Sequence, residues 1–442
     1  MHAESVEICL YQLPTANWCD SHTLVERDRN RSVGDPFDVS ELVRTSEHRL
    51  QILGSRFSYP DLIEGRDGLG VHLRSSRRIL GQEQASITVT GDCTLTEVWE
   101  HLRADRRTLP ICPPVITTQT VAGAIGTGTH AQGTREGLFA DAVVEFEFVD
   151  ASGRWHRIGR DDPAFGAFQL HLGSLGLITS VTLATQANRN YVCHKYTTSG
   201  DELRAHFGDW NNRSEHVKVW WFTEDDRAHV WEVTPTAGLL PQDTDRTAHT
   251  DLNQVLADTQ TRMGKDLRSD DRQLASQRTV GRFYDYSDAS GDLVEIFLNG
   301  IPAPQVNMEV GVPLDRFEAA ADDLRRVLAD SAYQLHYPVI LRPTGASDAW
   351  LAAAYDRPTC WFGFVVYQRA DGTVADGSVE LLGEIQAALS AHEGLPHWGK
   401  YFDPKFYDFA GLPRWDDFAG VRRQFDPDGR FLNPKLGRIL GA

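Results

Sequence analysis

No CxxC pair occurs among the six cysteines of this chain, which stand apart at Cys9, Cys19, Cys93, Cys112, Cys193 and Cys360. Scattered single thiols build neither a zinc ribbon nor a disulfide framework, so reduced cysteines in a cytoplasmic protein are expected. Positive charge is also short: 44 Lys and Arg against 62 Asp and Glu leave −18. A surface that acidic repels nucleic-acid backbones and anionic membranes, and neither is expected as a partner. The opening "MHAESVEICLYQLPT" has no basic segment followed by a long apolar run, and no stretch approaches the length of a transmembrane helix. G-x-G-x-x-G, a Walker lysine and a G-x-S-x-G elbow are missing too. "HEGLPH", His392 to His397, spaces its histidines five apart with Gly and Pro between, so no metal site is expected. What is present, 41% hydrophobic and 10% aromatic residues over 442 positions, describes a globular chain too long for one ordinary core.

The first 188 residues alternate short strands and helices. "SITVTGD" puts Ile87 and Val89 on one face of a strand. Thr94 and Glu97 then form a capping-box pattern, followed by Leu95, Val98, Trp99 and Leu102 at helical spacing. "ADAVVEFEFVDASGRWHRI" sets Val144, Phe146 and Phe148 against Glu145 and Glu147, with "DASG" as a hairpin turn, and "GLITSVTLAT" repeats the period of two. The expectation is α+β with a mixed sheet. Between 189 and 395, "HVKVWWFT", "AHVWEV", "LVEIFL" and "CWFGFVVYQ" read as strands of an antiparallel sheet. Helices are expected at 315–330 and 377–391, and a polar stretch at 235–280 reads as a surface insertion.

Two turns carry candidate chemistry. "GSRFSYPDL", residues 54–62, follows the apolar run Leu50 to Leu53. It reads either as a surface turn or as aligned N–H groups holding an anion. "TVAGAIGTGTHAQG", residues 120–133, keeps bulky side chains out until His130. It lets backbone approach a ligand, or simply lets small residues pack.

Together with "LPICPPVITTQTVAGAIGTGTH", "HLGSLGLITSVTL" and a C-terminal "PHWGKYF…YDFAGLPRWDDFAGVRRQFDPDGRFLNPKL", these turns resemble flavoprotein oxidases of the vanillyl-alcohol-oxidase (PCMH-type) fold, in particular the sugar-lactone and alditol oxidase branch. The resemblance implies a two-lobed FAD-binding domain at 1–188, an antiparallel cap domain for substrate at 189–395, and a segment at 396–442 returning to complete the flavin site. It implies FAD lying between Gly54, Ser55, Arg56, Phe57, Ser58 and Tyr59 on one side and Thr120, Gly123, Thr127, Gly128, Thr129 and His130 on the other, with Leu177 near the isoalloxazine. In this branch a histidine usually stands where Phe57 is, covalently bonded to the flavin. A phenyl ring has no nucleophilic nitrogen, so FAD held without a covalent bond is expected.

The substrate side departs further from the branch. Its serine region reads Cys112-Pro113-Pro114-Val115, its Glu-x-Arg reads Ile340-Leu341-Arg342, and its His-x-Thr aligns with Gly363 and Val365. Arg342 and the Lys400 of "HWGK" remain as the catalytic candidates. A pocket with so few hydroxyl partners suits a substrate less polar than a polyol. Arg342 needs a partner, either Glu309 of "NMEV" or an acidic group of the substrate. Lys400 would bind substrate oxygen or stabilise negative charge at the flavin. The expected activity is hydride transfer from a C–H, most simply a carbinol carbon, to FAD, with O₂ or another electron acceptor following. A redox-neutral tailoring enzyme and a flavin-binding protein without turnover are the alternatives.

Overall fold

The computed structural model describes residues 30–33, 36–59, 62, 68–238, 281, 286–297, 305–333, 335, 337–368 and 373–441. Cys9, Cys19 and most of the polar 235–280 stretch lie outside them.

The N-terminal part holds two sheets of different kinds. Strands β1 (Asn30–Val33), β2 (Leu50–Ile52) and β3 (Leu69–Leu73) form a parallel sheet in the order β1-β3-β2. Strands β4 (Ile79–Gln82), β5 (Ser86–Thr90), β7 (Val143–Val149), β8 (Trp155–Gly159) and β9 (Leu177–Ala184) form an antiparallel sheet in the order β4-β5-β9-β7-β8. The expected mixed sheet is thus two separate sheets, each of one type. β6 (Arg107–Thr108) pairs with β10 (Gln186–Ala187).

Local signals determine several of these elements. The Thr94 and Glu97 capping box forms on helix Leu95–Ala104, which buries Leu95, Val98, Trp99 and Leu102. The glycine-rich stretch, expected as a turn, contains a short helix, Val121–Gly126, because the Thr120 hydroxyl caps it by accepting from the Gly123 N–H at 3.2 Å.

The second part is one eight-stranded antiparallel sheet. It is built from β11 (Asn190–Ser199), β12 (His216–Phe222), β13 (Arg227–Thr236), β14 (Ala289–Gly291), β15 (Gln305–Pro313), β16 (Val339–Thr344), β17 (Thr359–Tyr367) and β18 (Leu395–Pro396). Their order is β14-β11-β13-β12-β16-β17-β15-β18. "LVEIFL", expected as a strand, is instead helix Leu293–Phe297. Asp292 and Glu295 cap it reciprocally, each backbone N–H donating to the other's carboxylate at 3.0 Å.

Strand alternation splits this sheet into two faces. Val217, Val219, Trp221, Leu341 and Phe362 bury one face under helices Gly200–Arg213, Phe317–Asp330 and Ser378–Ser390. Trp220, Trp231 and Trp361, on the other face, join the core that includes the N-terminal part. The C-terminal segment is stitched back onto that part. The Arg430 guanidinium donates to the carbonyls of Ala151, Val43 and Ser46 at 2.7–2.9 Å, and the Asn433 amide donates to the Leu62 carbonyl.

Candidate functional site

Three segments far apart in sequence meet at one place. Gly54 lies against Thr120 so closely that a Cβ there would stand 2.4 Å from the Thr120 hydroxyl. The Ser55 hydroxyl donates to the Thr118 carbonyl at 2.7 Å. The Tyr59 N–H donates to the Gly399 carbonyl at 2.8 Å, and the rings of Tyr59 and Tyr401 meet edge to face with centroids 5.1 Å apart. A Cβ on Gly399 would in turn stand 3.1 Å from Thr127. Both glycine-bearing turns therefore touch each other and the "HWGKY" loop.

The first turn is built around an unusual backbone. Arg56 has φ of 60°, in the left-handed region, and its guanidinium contacts the His72 ring nitrogen at 2.5 Å. Burial, and then the Arg56 charge, hold His72 down at about 3. The N–H groups of Gly54, Ser55, Phe57 and Ser58 meet no acceptor among the described residues. A run of amides without acceptors at a tight turn suits an anionic group such as a pyrophosphate. The residues present thus fit the dinucleotide cofactor that the sequence resemblance implies.

Beside this cradle lies a buried charge cluster. Glu309 on β15 has no exposed surface. The Arg342 guanidinium on β16 donates to one of its oxygens; Lys400 Nζ reaches the other at 2.6 Å, and His130 Nε2 lies 3.0 Å from it. Sheet register explains the first pairing: Gly363 on β17 stands opposite both Glu309 and Ile340, and Arg342 opposite Trp361. A Cβ on Gly363 would lie 3.3 Å from Glu309 Oε1, so the missing side chain leaves room for the carboxylate. The His130 ring stacks on Trp361 with centroids 4.3 Å apart.

Charge follows from this packing. Burial pushes the Glu309 carboxyl up, but Arg342, Lys400 and His130 together hold it well below the ordinary carboxylate range. Burial brings Lys400 down to about 8, with Glu309 opposing and Arg342 assisting the shift. Burial holds the His130 ring down at about 4, so near neutrality it carries one N–H, and the ionised Glu309 is its stronger acceptor. Two cations therefore surround one carboxylate, leaving a positive surplus.

His130, Glu309 and His397 bring potential metal-ligating atoms within 4.8 Å of one another. Arg342 and Lys400 already engage the carboxylate, and the Gly399 N–H occupies His397 Nδ1 at 3.1 Å, so the group reads as a hydrogen-bonded network. His392 is not part of it and contacts Asp323 at 2.6 Å.

The other sequence candidates divide. Ile340, Gly363 and Val365 share the Arg342 face of the sheet, and Pro114 is buried with Val115 half-buried beside it. Leu177 is not brought to the cluster. Its side chain packs with Val39, Val43, Leu50, Val71 and Phe431 in a separate small core. Sequence reading missed Trp361, Tyr401 and Lys218. The alternation in "HVKVWWF" could have flagged Lys218, the one charged residue on an otherwise apolar strand.

Comparison with known proteins bears on the family and the fold. The family described as D-arabinono-1,4-lactone oxidase matches residues 181–439, and an FAD-binding-domain family matches residues 31–159. L-gulonolactone oxidase of Mus musculus is 25% identical over 430 residues, covering 92% of this chain and 93% of that protein. L-gulono-1,4-lactone dehydrogenase of Mycobacterium tuberculosis is 25% identical over 427 residues, covering 93% and 95%. Alditol oxidase of a Streptomyces species is 25% identical over 329 residues, covering 73% of each. The crystal structure of cholesterol oxidase from B. sterolicum superposes with a TM-score of 0.76 at 16% identity over 96% of both chains, a likeness of fold alone. With its FAD-binding domain, antiparallel cap and C-terminal return, the chain belongs to the D-arabinono-1,4-lactone oxidase family of FAD-dependent oxidoreductases.

Proposed function

We propose that this flavoenzyme takes a hydride from a carbinol carbon of a small molecule less polar than a polyol, and passes electrons on to O₂ or another acceptor. The observation that carries this reading is the positive surplus around Glu309, placed where the two turns and the "HWGKY" loop meet. Residues Gly54 to Tyr59 and Thr120 to His130 would hold FAD between them. Bound FAD supplies the two-electron acceptor for the substrate hydride. Lys400 and Arg342 would hold the carbinol oxygen, whose O–H proton leaves to water as the carbonyl forms, and their positive charge would stabilise the negative charge that the hydride delivers to the bound cofactor. Glu309 keeps both cations in place, and His130, stacked on Trp361, fixes the carboxylate from behind.

The lactones that name the relatives are one class of candidate substrate, because a lactone ring presents fewer hydroxyls than an open polyol. Ile340, Gly363 and Val365 offer no side-chain hydroxyl or carboxylate to a polyol. Anaerobic mixing with L-gulono-1,4-lactone, D-arabinono-1,4-lactone and simple aromatic carbinols tests the reading. Bleaching of the flavin band on mixing is expected. Product formed without bleaching would instead establish a redox-neutral reaction.

Attachment of the cofactor gives a separate expected result. Because Phe57 has no nucleophilic atom, acid precipitation should release yellow FAD into the supernatant and leave colourless protein. Flavin that stays with the pellet through denaturation would overturn the non-covalent reading.

A further inference from the structure

We propose that Lys218 and Arg342 together form a carboxylate-binding subsite, so that the preferred substrates are hydroxy acids in their anionic form rather than neutral lactones. This inference rests on reading the Arg342 face of the cap sheet as the substrate's.

Lys218 lies on β12 and is 2% exposed. Its strand pairs with β16 through Val219 and Leu341, and Trp220 and Ile340. One step further along that ladder sets Lys218 opposite Arg342, both side chains on the same face. Lys218 Nζ has no hydrogen-bond or ion-pair partner among the described residues; its neighbours are the faces of Trp220, 4.5 Å away, and Trp231, 5.7 Å away. On the Arg342 side, Nη2 is spent on Glu309, while the buried Nε has no partner.

An ammonium nine-tenths buried without a counter-charge is costly, and a second cation beside it makes the cost larger. Glu309 offsets only part of it, after burial and Arg342, and its two oxygens are already hydrogen-bonded by Arg342, Lys400 and His130. Burial, and then Arg342, bring Lys218 down to about 7, so an arriving carboxylate would restore its full charge. The donors without a partner, Lys218 Nζ and Arg342 Nε, match in number the two oxygens of one carboxylate. Trp220 and Trp231 make the surroundings apolar, and their attraction for cations keeps the ammonium in place.

Binding to the holoenzyme tests this, read as the shift of the flavin visible band on adding mandelate or benzoate, each against its primary amide. The parental enzyme should bind the carboxylate at least tenfold more tightly than the amide. Lys218→Met should erase that preference by weakening the carboxylate far more than the amide, and Lys218→Arg should keep it. The Met variant should melt no lower than the parent, because it removes a buried amine without a counter-ion; its Tm shows that a loss of binding is not a loss of fold. Equal affinity of the parent for acid and amide, or a Lys218→Met variant that weakens both alike, would overturn the subsite. The two readings fail separately. Carboxylate preference without any flavin bleaching would leave the subsite standing and remove the turnover reading. Neutral lactones that bleach the flavin while no carboxylate binds would do the reverse.

Discussion

Glu309→Gln is expected to cost about 3–5 kcal/mol of stability, the range for breaking a buried ion pair by removing one partner. The carboxylate is completely buried and faces Arg342, Lys400 and His130, so an amide leaves two cations beside a neutral oxygen. The cost comes mainly from the stranded guanidinium, whose side chain is only 9% exposed. Urea unfolding of parent and variant, with bound FAD held constant, reads the loss as a lower midpoint. The double variant Glu309→Gln/Arg342→Leu should recover part of it, since removing the stranded charge removes part of the penalty. A midpoint unchanged in Glu309→Gln would mean that solvent already screens the cluster. The pH dependence has a definite sign. A carboxyl held well below its ordinary value contributes its full stability above about 4.5, loses it progressively below that as the unfolded chain takes up the proton, and has lost it once pH has fallen through the depressed value. The parent should therefore keep most of this contribution at a pH near 4, and the Gln variant should be less stable than the parent there too.

Lys400→Met should slow anaerobic flavin reduction at saturating substrate by about 10² or more, as expected when a group that stabilises developing charge is removed. Its ammonium reaches Glu309 at 2.6 Å, and its side chain keeps 19% exposure. Methionine keeps much of the side-chain bulk, so the change isolates the charge. Titration supplies a second readout. Lys400 is brought down to about 8, so in the parent the reduction rate should fall as pH rises through that value and the ammonium loses its proton. Other groups of the cluster facing it are Glu309, held ionised, the Arg342 cation, and His130 and His397, both kept neutral by burial at these pH values. Lys218, near 7, faces Arg342 on the same side of the sheet; saturating substrate confines its effect on binding to KM. The alkaline limb should disappear in Lys400→Met. A variant that reduces at the parental rate, with the limb intact, would place the reacting centre elsewhere.

Much of the architecture was legible in the chain because it is set by short-range physics. The Thr94 and Glu97 capping box, the alternation through Phe146 and Phe148, and the helices near 315–330 and 377–391 each depend on residues a few positions apart. Where local signals misled, another local signal had been passed over. Asp292 and Glu295 turned an apolar run into a helix, and the Thr120 hydroxyl turned a glycine-rich stretch into one. The sequence also marked Arg342 and Lys400, and narrowed the partner of Arg342 to Glu309 or a ligand. Tertiary structure supplied the first of these, because only strand pairing across β15, β17 and β16 brings residues 309 and 342 together. It likewise brought Lys400 and His130 onto the same carboxylate, joined Gly54 to Thr120 and Tyr59 to Gly399, and sent Leu177 into a different core. Lys218 is the clearest case. In sequence it is one lysine in a strand, and its significance arises only when folding removes its water and sets Arg342 beside it, because the energy of a buried charge depends on every neighbour and not only on those along the chain.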